Sequence, residues 1–263
     1  WDNALVDGLP TATGQRVRAA GVRRCLEAVR PDYEAALRAG LPAGIAAGIK
    51  NTGIGNGVVD ESTVRIAVLP GGRLRLEHGW SEMGQGLTTV CIQMVCQETG
   101  AAPDAVEVVV DTAAGLVTGM TTASRATVLA GNAIRDCCRA LAADRGARGL
   151  AELAGRLYTG RFACDWTVSP AAEGSGDTHL SYGWAAQLCL LDARGEVDRI
   201  VAAHDAGRVV NPTLFAGQIE GAVHMGLGYA LSEELPMRGG RLVSDRLGDC
   251  GLIRAPQMPP VEE

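Results

Sequence analysis

No stretch of this sequence reaches the ~18 consecutive apolar residues that a bilayer-spanning helix needs, and Trp1-Asp2-Asn3 carries neither a basic leader nor an initiator methionine. The last ten residues, 254–263, run as an extended segment without a closing element, so both ends are expected to be cut points in a longer polypeptide. Long runs of one charge are also missing. The 24 Lys and Arg face 30 Asp and Glu, a dispersed net charge of −6, which argues against nucleic acid or an anionic membrane as partner. Eight cysteines are present (Cys25, Cys91, Cys96, Cys137, Cys138, Cys164, Cys189 and Cys250), but they form no CxxC pair and no zinc-like spacing with histidine. Cys25 shares a helical stripe with Val22, Leu26 and Val29, Cys91 with Leu87, Val90, Met94 and Val95, and Cys137 with Ala133, Ile134 and Leu141. They read as core thiols in a reducing, cytoplasmic compartment. A phosphate-binding GxxxxGK[ST], a GxSxG elbow and an HExxH helix are all absent. His78, His179, His204 and His224 are scattered, and the one local His–carboxylate pair, His204-Asp205, reads as structural.

What is present is enough for a core: 263 residues, 47% of them hydrophobic, suit one large domain or two medium ones. Residues 16–39 read as one or two helices, broken at Arg30-Pro31 and stopped by Gly40. Val64–Leu69 and Arg73–His78 are β-rich and flank Pro70-Gly71-Gly72, a hairpin signal. A helix follows from Leu87 to about Thr99, with Gly100 as its stop. Val106–Val110 reads as a strand, 111–122 as a loop, and about Ser124 to Asp144 as a helix. A short helix near 147–157 and a Ser/Gly-rich link at 173–178 precede a second hairpin, Trp184–Leu191 with Val197–His204, and a helix over Leu214–Leu231. Segments 64–99 and 184–231 thus share one order: hairpin, polar junction, long helix. With no βαβ crossover in view, the expected class is α+β, with two similar subdomains each carrying antiparallel hairpins followed by a long helix. The expected division is a helical segment at 1–40 and subdomains at 41–160 and 161–263.

Chemistry is expected at the strand-to-helix junctions. In Glu82-Met83-Gly84-Gln85-Gly86 the two glycines let backbone approach a ligand, the helix N-terminus favours an anion, and Gln85 presents an amide; the plain alternative is a tight turn that needs positive φ. Thr121, Thr122, Ser124 and Thr127 place four hydroxyls around Arg125, more than N-capping requires, and together they suit phosphate or pterin oxygens. Gly217-Gln218-Ile219-Glu220-Gly221 opens the last helix with an amide and a carboxylate that are either functional or ordinary polar contacts. Gly53-Ile54-Gly55-Asn56-Gly57 has the look of a dinucleotide loop but lacks the following helix, which disfavours a nicotinamide dehydrogenase.

Taken in order, Glu82–Leu87, Thr121–Thr127 and Asp205-Ala206-Gly207 with Asn211-Pro212 and Gly217–Gly221 resemble the molybdenum-cofactor-binding subunit of the xanthine dehydrogenase and aldehyde oxidase family. Gly48–Gly57 and His224–Gly228 are most similar to its selenium-dependent xanthine dehydrogenase branch.

By that resemblance Gly84, Gln85 and Gly86 hold the pterin and phosphate of the molybdenum cofactor, molybdopterin itself or its cytosine dinucleotide. Thr121, Thr122, Ser124, Arg125 and Thr127 bind the phosphate tail, Ala123 lies against the molybdenum without ligating it, and Gln218 contacts the pterin. Asn51 and Thr52 fall in the substrate pocket, Asn51 standing where the animal-type enzymes have an aromatic residue. The resemblance implies hydroxylation of a purine or related N-heterocycle with water-derived oxygen. It puts the glutamate base beyond residue 263, so Glu262 and Glu263 are not that base. A further glycine-rich cofactor loop is implied upstream of Trp1. FAD and 2Fe-2S centres are implied on other segments or subunits of an oligomer. An aldehyde-oxidising enzyme of the same fold and a non-catalytic cofactor-binding module are the alternatives.

Overall fold

The computed structural model describes residues 1–170 and 176–263; part of the expected link at 173–178 lies outside the described residues. In chain order the elements are α1 (Val22–Arg38), β1 (Ala43–Thr52), β2 (Asp60–Val68), β3 (Leu74–His78), α2 (Leu87–Thr99), β4 (Val106–Val110) and α3 (Ala126–Arg145). They continue with β5 (Leu157–Cys164), β6 (Ser181–Leu191), β7 (Val197–Asp205), α4 (Pro212–Leu231), β8 (Met237–Arg238), β9 (Arg241–Leu242) and β10 (Val261–Glu262). Among the described residues, no helix is long and apolar enough to cross a membrane.

The chain forms two compact units, one of residues 1–7, 19–49 and 183–263, the other of residues 8–18 and 50–182. These bounds depart from the expected division at 40 and 160. α1 packs on β7, so the N-terminal helix belongs with the C-terminal third, and β5 pairs along the whole of β2, which holds 157–164 in the central unit.

Each unit has a four-stranded sheet, in the orders β1-β6-β7-β10 and β5-β2-β3-β4. The α+β class and the shared order of hairpin and helix hold. β2 and β3 pair antiparallel with Ile66 opposite Leu76, and β6 and β7 with Ala186 opposite Ala203. The expectation of no crossover fails. α2 carries the chain from β3 to a parallel β4, with Leu76 opposite Val108, and α4 lies between β7 and the parallel β10, with Val261 opposite Ile200. Both sheets therefore read as a strand that follows a helix, two hairpin strands, and a crossover strand. In one unit the helix-then-strand piece (α1-β1) comes first in the chain; in the other (α3-β5) it comes last.

The core of the central unit follows strand alternation. On β2 the inward side chains are Asp60, Ser62, Val64, Ile66 and Val68, and on β3 Leu74, Leu76 and His78. Leu87, Cys91 and Val95 of α2 and Leu129, Ile134 and Leu141 of α3 close over them. Each fully buried aliphatic side chain contributes ~1.5–3 kcal/mol. The cysteines are free, and burial pushes the Cys91, Cys137 and Cys138 thiols up to about 12, as inert core thiols require. α1 is one helix running through Pro31, where a break was expected. Pro31 and Glu27, one turn earlier, both face solvent, so the carbonyl that proline leaves unpaired is hydrated.

β5 has weak strand character because α3 presses on it. A Cβ at Gly160 would overlap the Ala133 carbonyl oxygen and the Cys137 amide of that helix. Replacing Gly160 by alanine is expected to destabilise the protein by about 2–3 kcal/mol or more, since backbone cannot yield cheaply; a urea midpoint unchanged by Gly160→Ala would contradict this packing.

Candidate functional site

The inward positions of β2 and β3 turn polar at one end of the sheet. Asp60, Ser62 and His78 are each at most 2% exposed, and three loops gather there: 53–59, 79–86 and 111–125. Trp80, fully buried just after β3, donates its indole N–H to Ser62 Oγ at 2.9 Å. Its ring carries the Arg125 guanidinium at 5.1 Å. Arg125 is itself 3% exposed, ion-paired to Asp60 Oδ1 and bonded to the Met120 carbonyl. Asp60 Oδ2 accepts from Ile54 N at 3.0 Å, so one buried carboxylate ties loop 53–59 to loop 111–125. Arg125, expected among the phosphate ligands, has its guanidinium engaged inside the protein by Asp60, the Met120 carbonyl and the Trp80 ring.

The glycine-rich turn after β3 holds an anion of its own. Glu82 Oε1 accepts from the amides of Gly84 and Gly86 at 3.0 and 2.9 Å, and Oε2 from Thr88 N at 2.9 Å. The N-terminus of α2, expected to attract a ligand anion, is thus filled by the chain's own carboxylate. Burial raises the Glu82 carboxyl, but the amides of Thr88, Gly86 and Gly84 together bring it below its ordinary value. Gln85 is turned onto its own loop, accepting from Met83 N at 2.6 Å and donating to the Ser81 carbonyl at 2.9 Å. Gly84 and Gly86 have φ of 94° and 84°, and nothing lies within 4 Å of where a Cβ on Gly84 would sit, so the backbone there is open to close approach.

The N-terminus of α3 differs. Its cap is Arg125, with no side-chain cap hydrogen bond, and the helix starts at Ala126, two residues later than expected, with no hydroxyl capping it. The first amides of an α-helix have no intrahelical acceptor, and among the described residues no side-chain cap takes up those at the start of α3. Ala123 and Ser124, with φ of 56° and 49°, are successive left-handed residues that are not glycine, each costing about 1–3 kcal/mol where the surroundings hold it. The hold is visible: Gly53 N donates to the Ala123 carbonyl at 3.0 Å, and Thr121 Oγ1 accepts from Ser81 N at 3.0 Å. Thr122, Ser124 and Thr127 are exposed.

The structure therefore brings together residues 84–86, 121–127 and the loop after Asn51 and Thr52, which end β1; Asn51 Nδ2 donates to the Gly53 carbonyl at 3.3 Å. Gln218 belongs to the other unit, where it is exposed on α4; that helix begins at Pro212 with Asn211 as its cap, so Gln218 lies in its second turn and not at its start. His204 and Asp205 form no pair of their own: Asp205 takes Arg24 and the Gly207 amide, while burial lowers the His204 pKa. Asp60, Ser62 and Trp80 were missed in the sequence. The available signal was phase, because Asp60 and Ser62 occupy inward positions of a strand whose other inward residues are aliphatic.

The sequence model of the molybdopterin cofactor-binding domain matches residues 25–155 and again 148–259, and the chain belongs to that family. It is 29% identical over 238 residues to a probable xanthine dehydrogenase subunit of Bacillus subtilis, covering 78% of this chain and 32% of that protein. Against an aldehyde oxidoreductase of Megalodesulfovibrio gigas the identity is 28% over 260 residues, 89% of this chain and 29% of the relative. The chain thus spans about a third of the length of these relatives. Two solved structures share the fold: the Desulfovibrio gigas aldehyde oxidoreductase (TM-score 0.84, 23% identity, 99% of this chain and 31% of that one) and the quinoline 2-oxidoreductase of Pseudomonas putida 86 (TM-score 0.73, 18% identity, 97% and 40%).

Two outcomes follow from the geometry. Arg125→Met should cost about 3–5 kcal/mol by stranding the Asp60 charge, and adding Asp60→Leu should recover most of it; chemical denaturation of the three variants measures this, and equal losses in single and double variants would refute a buried pair. Glu82→Gln should cost about 1 kcal/mol at neutral pH. With its folded pKa below the unfolded one, Glu82 contributes fully above the unfolded value and loses that contribution as pH falls through the folded value. The variant should therefore lose less stability on acidification than the parent, which thermal melts across pH 3–7 will show.

Proposed function

We propose that this chain is the cofactor-holding part of a molybdenum hydroxylase, and the observation that carries the reading is the uncapped N-terminus of α3 behind the strained Ala123-Ser124 turn. The donors there suit the group. The amides of residues 126–128 and the hydroxyls of Thr121, Thr122, Ser124 and Thr127 would take the phosphate tail, and the open backbone at Gly84–Gly86 would lie along the pterin with the Gln85 amide beside it. Ala123 offers only a methyl group toward the metal. Gln218 is assigned to the pterin and Asn51 and Thr52 to the substrate pocket. When bound, the cofactor supplies a two-electron sink and activates water.

The residues of this chain bind and orient. Arg125, buried and neutralised by Asp60, holds the Met120 carbonyl and so fixes the turn that presents Ala123 and Ser124. Glu82 keeps the α2 amides occupied, which directs a ligand anion to α3. Proton abstraction is assigned to a glutamate outside residues 1–263. Iron–sulfur and flavin centres on other segments or subunits of a cytoplasmic oligomer would accept the electrons, and the cofactor would be molybdopterin itself or its cytosine dinucleotide.

The substrate is assigned as a purine or related N-heterocycle, in line with the xanthine dehydrogenase names among the relatives and with the Asn51 amide, a polar group suited to ring nitrogens and oxygens. An aldehyde is the second reading, favoured by the M. gigas relative that covers 89% of the chain. Assaying the full-length protein with hypoxanthine-type heterocycles against aliphatic and aromatic aldehydes separates them. For the site itself, Ser124→Ala with Thr127→Val should lower cofactor retention about tenfold or more, as expected for lost hydrogen bonds to a charged group. Molybdenum and organic phosphate per protein after gel filtration give the readout; wild-type content in that double variant would remove α3 from the binding site.

A further inference from the structure

We propose that Gln15 is a positioning residue that fixes loop 53–59, which follows Asn51 and Thr52 at the end of β1, through the segment 177–182; its link to substrate rests on the assignment of those two residues above. Gln15 is 7% exposed, and its single amide oxygen accepts from four donors: Thr178 N at 2.8 Å, Thr178 Oγ1 at 2.9 Å, His179 N at 3.1 Å and Tyr182 Oη at 2.9 Å. Its amide nitrogen donates to Asp177 Oδ1 at 3.2 Å and to the His179 carbonyl at 3.4 Å. Gln15 sits in a tight hairpin closed by the antiparallel bridge between Pro10 and Arg16, and a glutamine serving only to fasten that hairpin would not need six contacts to one short segment about 165 residues away in sequence.

That segment is the floor of the loop. Asn56 N donates to the Thr178 carbonyl at 2.7 Å, and a Cβ on Gly55 would overlap that same carbonyl oxygen and His179 Cδ2. A Cβ on Gly53 would touch Leu180 Cβ at 3.5 Å. From the other side Gly53 N reaches the Ala123 carbonyl, so the loop is gripped between the floor that Gln15 organises and the turn at 123–124. Both hydrogen-bonding edges of the Gln15 amide are used, so an apolar residue in its place takes the acceptor from the Thr178 and His179 amides and the donor from the His179 carbonyl.

Hydrogen exchange on the full-length protein tests this directly, without relying on activity. In Gln15→Leu the amides of 53–58 should exchange about tenfold faster or more, together with those of 177–182, while β2, β3 and α3 keep their protection. Tyr182→Phe, which removes one donor, should loosen the same two segments to a smaller degree and serves if Gln15→Leu does not fold. In steady-state assays both variants should raise KM for the N-heterocycle, Gln15→Leu by about fivefold or more, with kcat within about twofold. Faster exchange confined to 8–18 and 177–182, with 53–58 unmoved, would make Gln15 a hairpin fastener and overturn the proposal, as would an unchanged KM in a variant whose loop is loosened. Should the wild-type protein contain neither molybdenum nor pterin, the hydroxylase reading fails, and the exchange data still decide whether Gln15 positions the loop.

Discussion

Everything at the polar end of the central sheet hangs on one buried ion pair. Asp60 and Arg125 are 2% and 3% exposed, and taking two such charges out of water costs several kcal/mol each unless geometry and further hydrogen bonds offset it. Here they do. The second oxygen of Asp60 takes the Ile54 amide, the remaining guanidinium donors take the Met120 carbonyl, and the face of the guanidinium lies on Trp80. Because each contact belongs to a different loop, the pair sets the spacing of all three, and a backbone turn as unfavourable as Ala123-Ser124 persists only in such a frame.

Two helix N-termini open at this end of the sheet, and they are electrostatically unlike. α2 meets the Glu82 carboxylate with three amides, whereas α3 begins with a neutralised arginine and no cap. An external anion therefore meets repulsion at the first and unsatisfied donors at the second. On the proposed reading the division would give the glycine-rich and hydroxyl-rich stretches separate tasks, the first shaping a surface and the second binding charge.

How much of this was readable without coordinates differs by element, for identifiable reasons. β2, β3, β6, β7 and α2 followed from alternation, the Pro70-Gly71-Gly72 turn and the Gly100 stop, all local signals. β5 was hidden because its inward face reads Tyr158, Gly160, Phe162 and Cys164, and the glycine, required so that α3 can sit close, interrupts the hydrophobic period of an already short strand. The parallel pairing of β3 with β4 was hidden because Val106–Val110 names a strand and not its neighbour. Arg125 beside four hydroxyls pointed to phosphate, while its actual partner Asp60 lies 65 residues earlier, a pairing only the fold brings about. Gln15 gave no signal, since a lone amide in a polar hairpin looks like surface until its six partners are seen.

The order of the pieces along the chain bears on biosynthesis. Apart from residues 8–18 the central unit is continuous, residues 50–182, and that stretch separates portions 19–49 and 183–263 of the other, whose β1 neighbours β6, an element made only after that insert. As the polypeptide leaves the ribosome, α1 and β1 emerge before their partners β6 and β7, while the inserted unit acquires its last strand, β5, well before those two appear. The host must therefore wait for its guest: α1, with Val22, Cys25, Leu26 and Val29 on one face, is the stretch that a nascent-chain chaperone would have to shield longest.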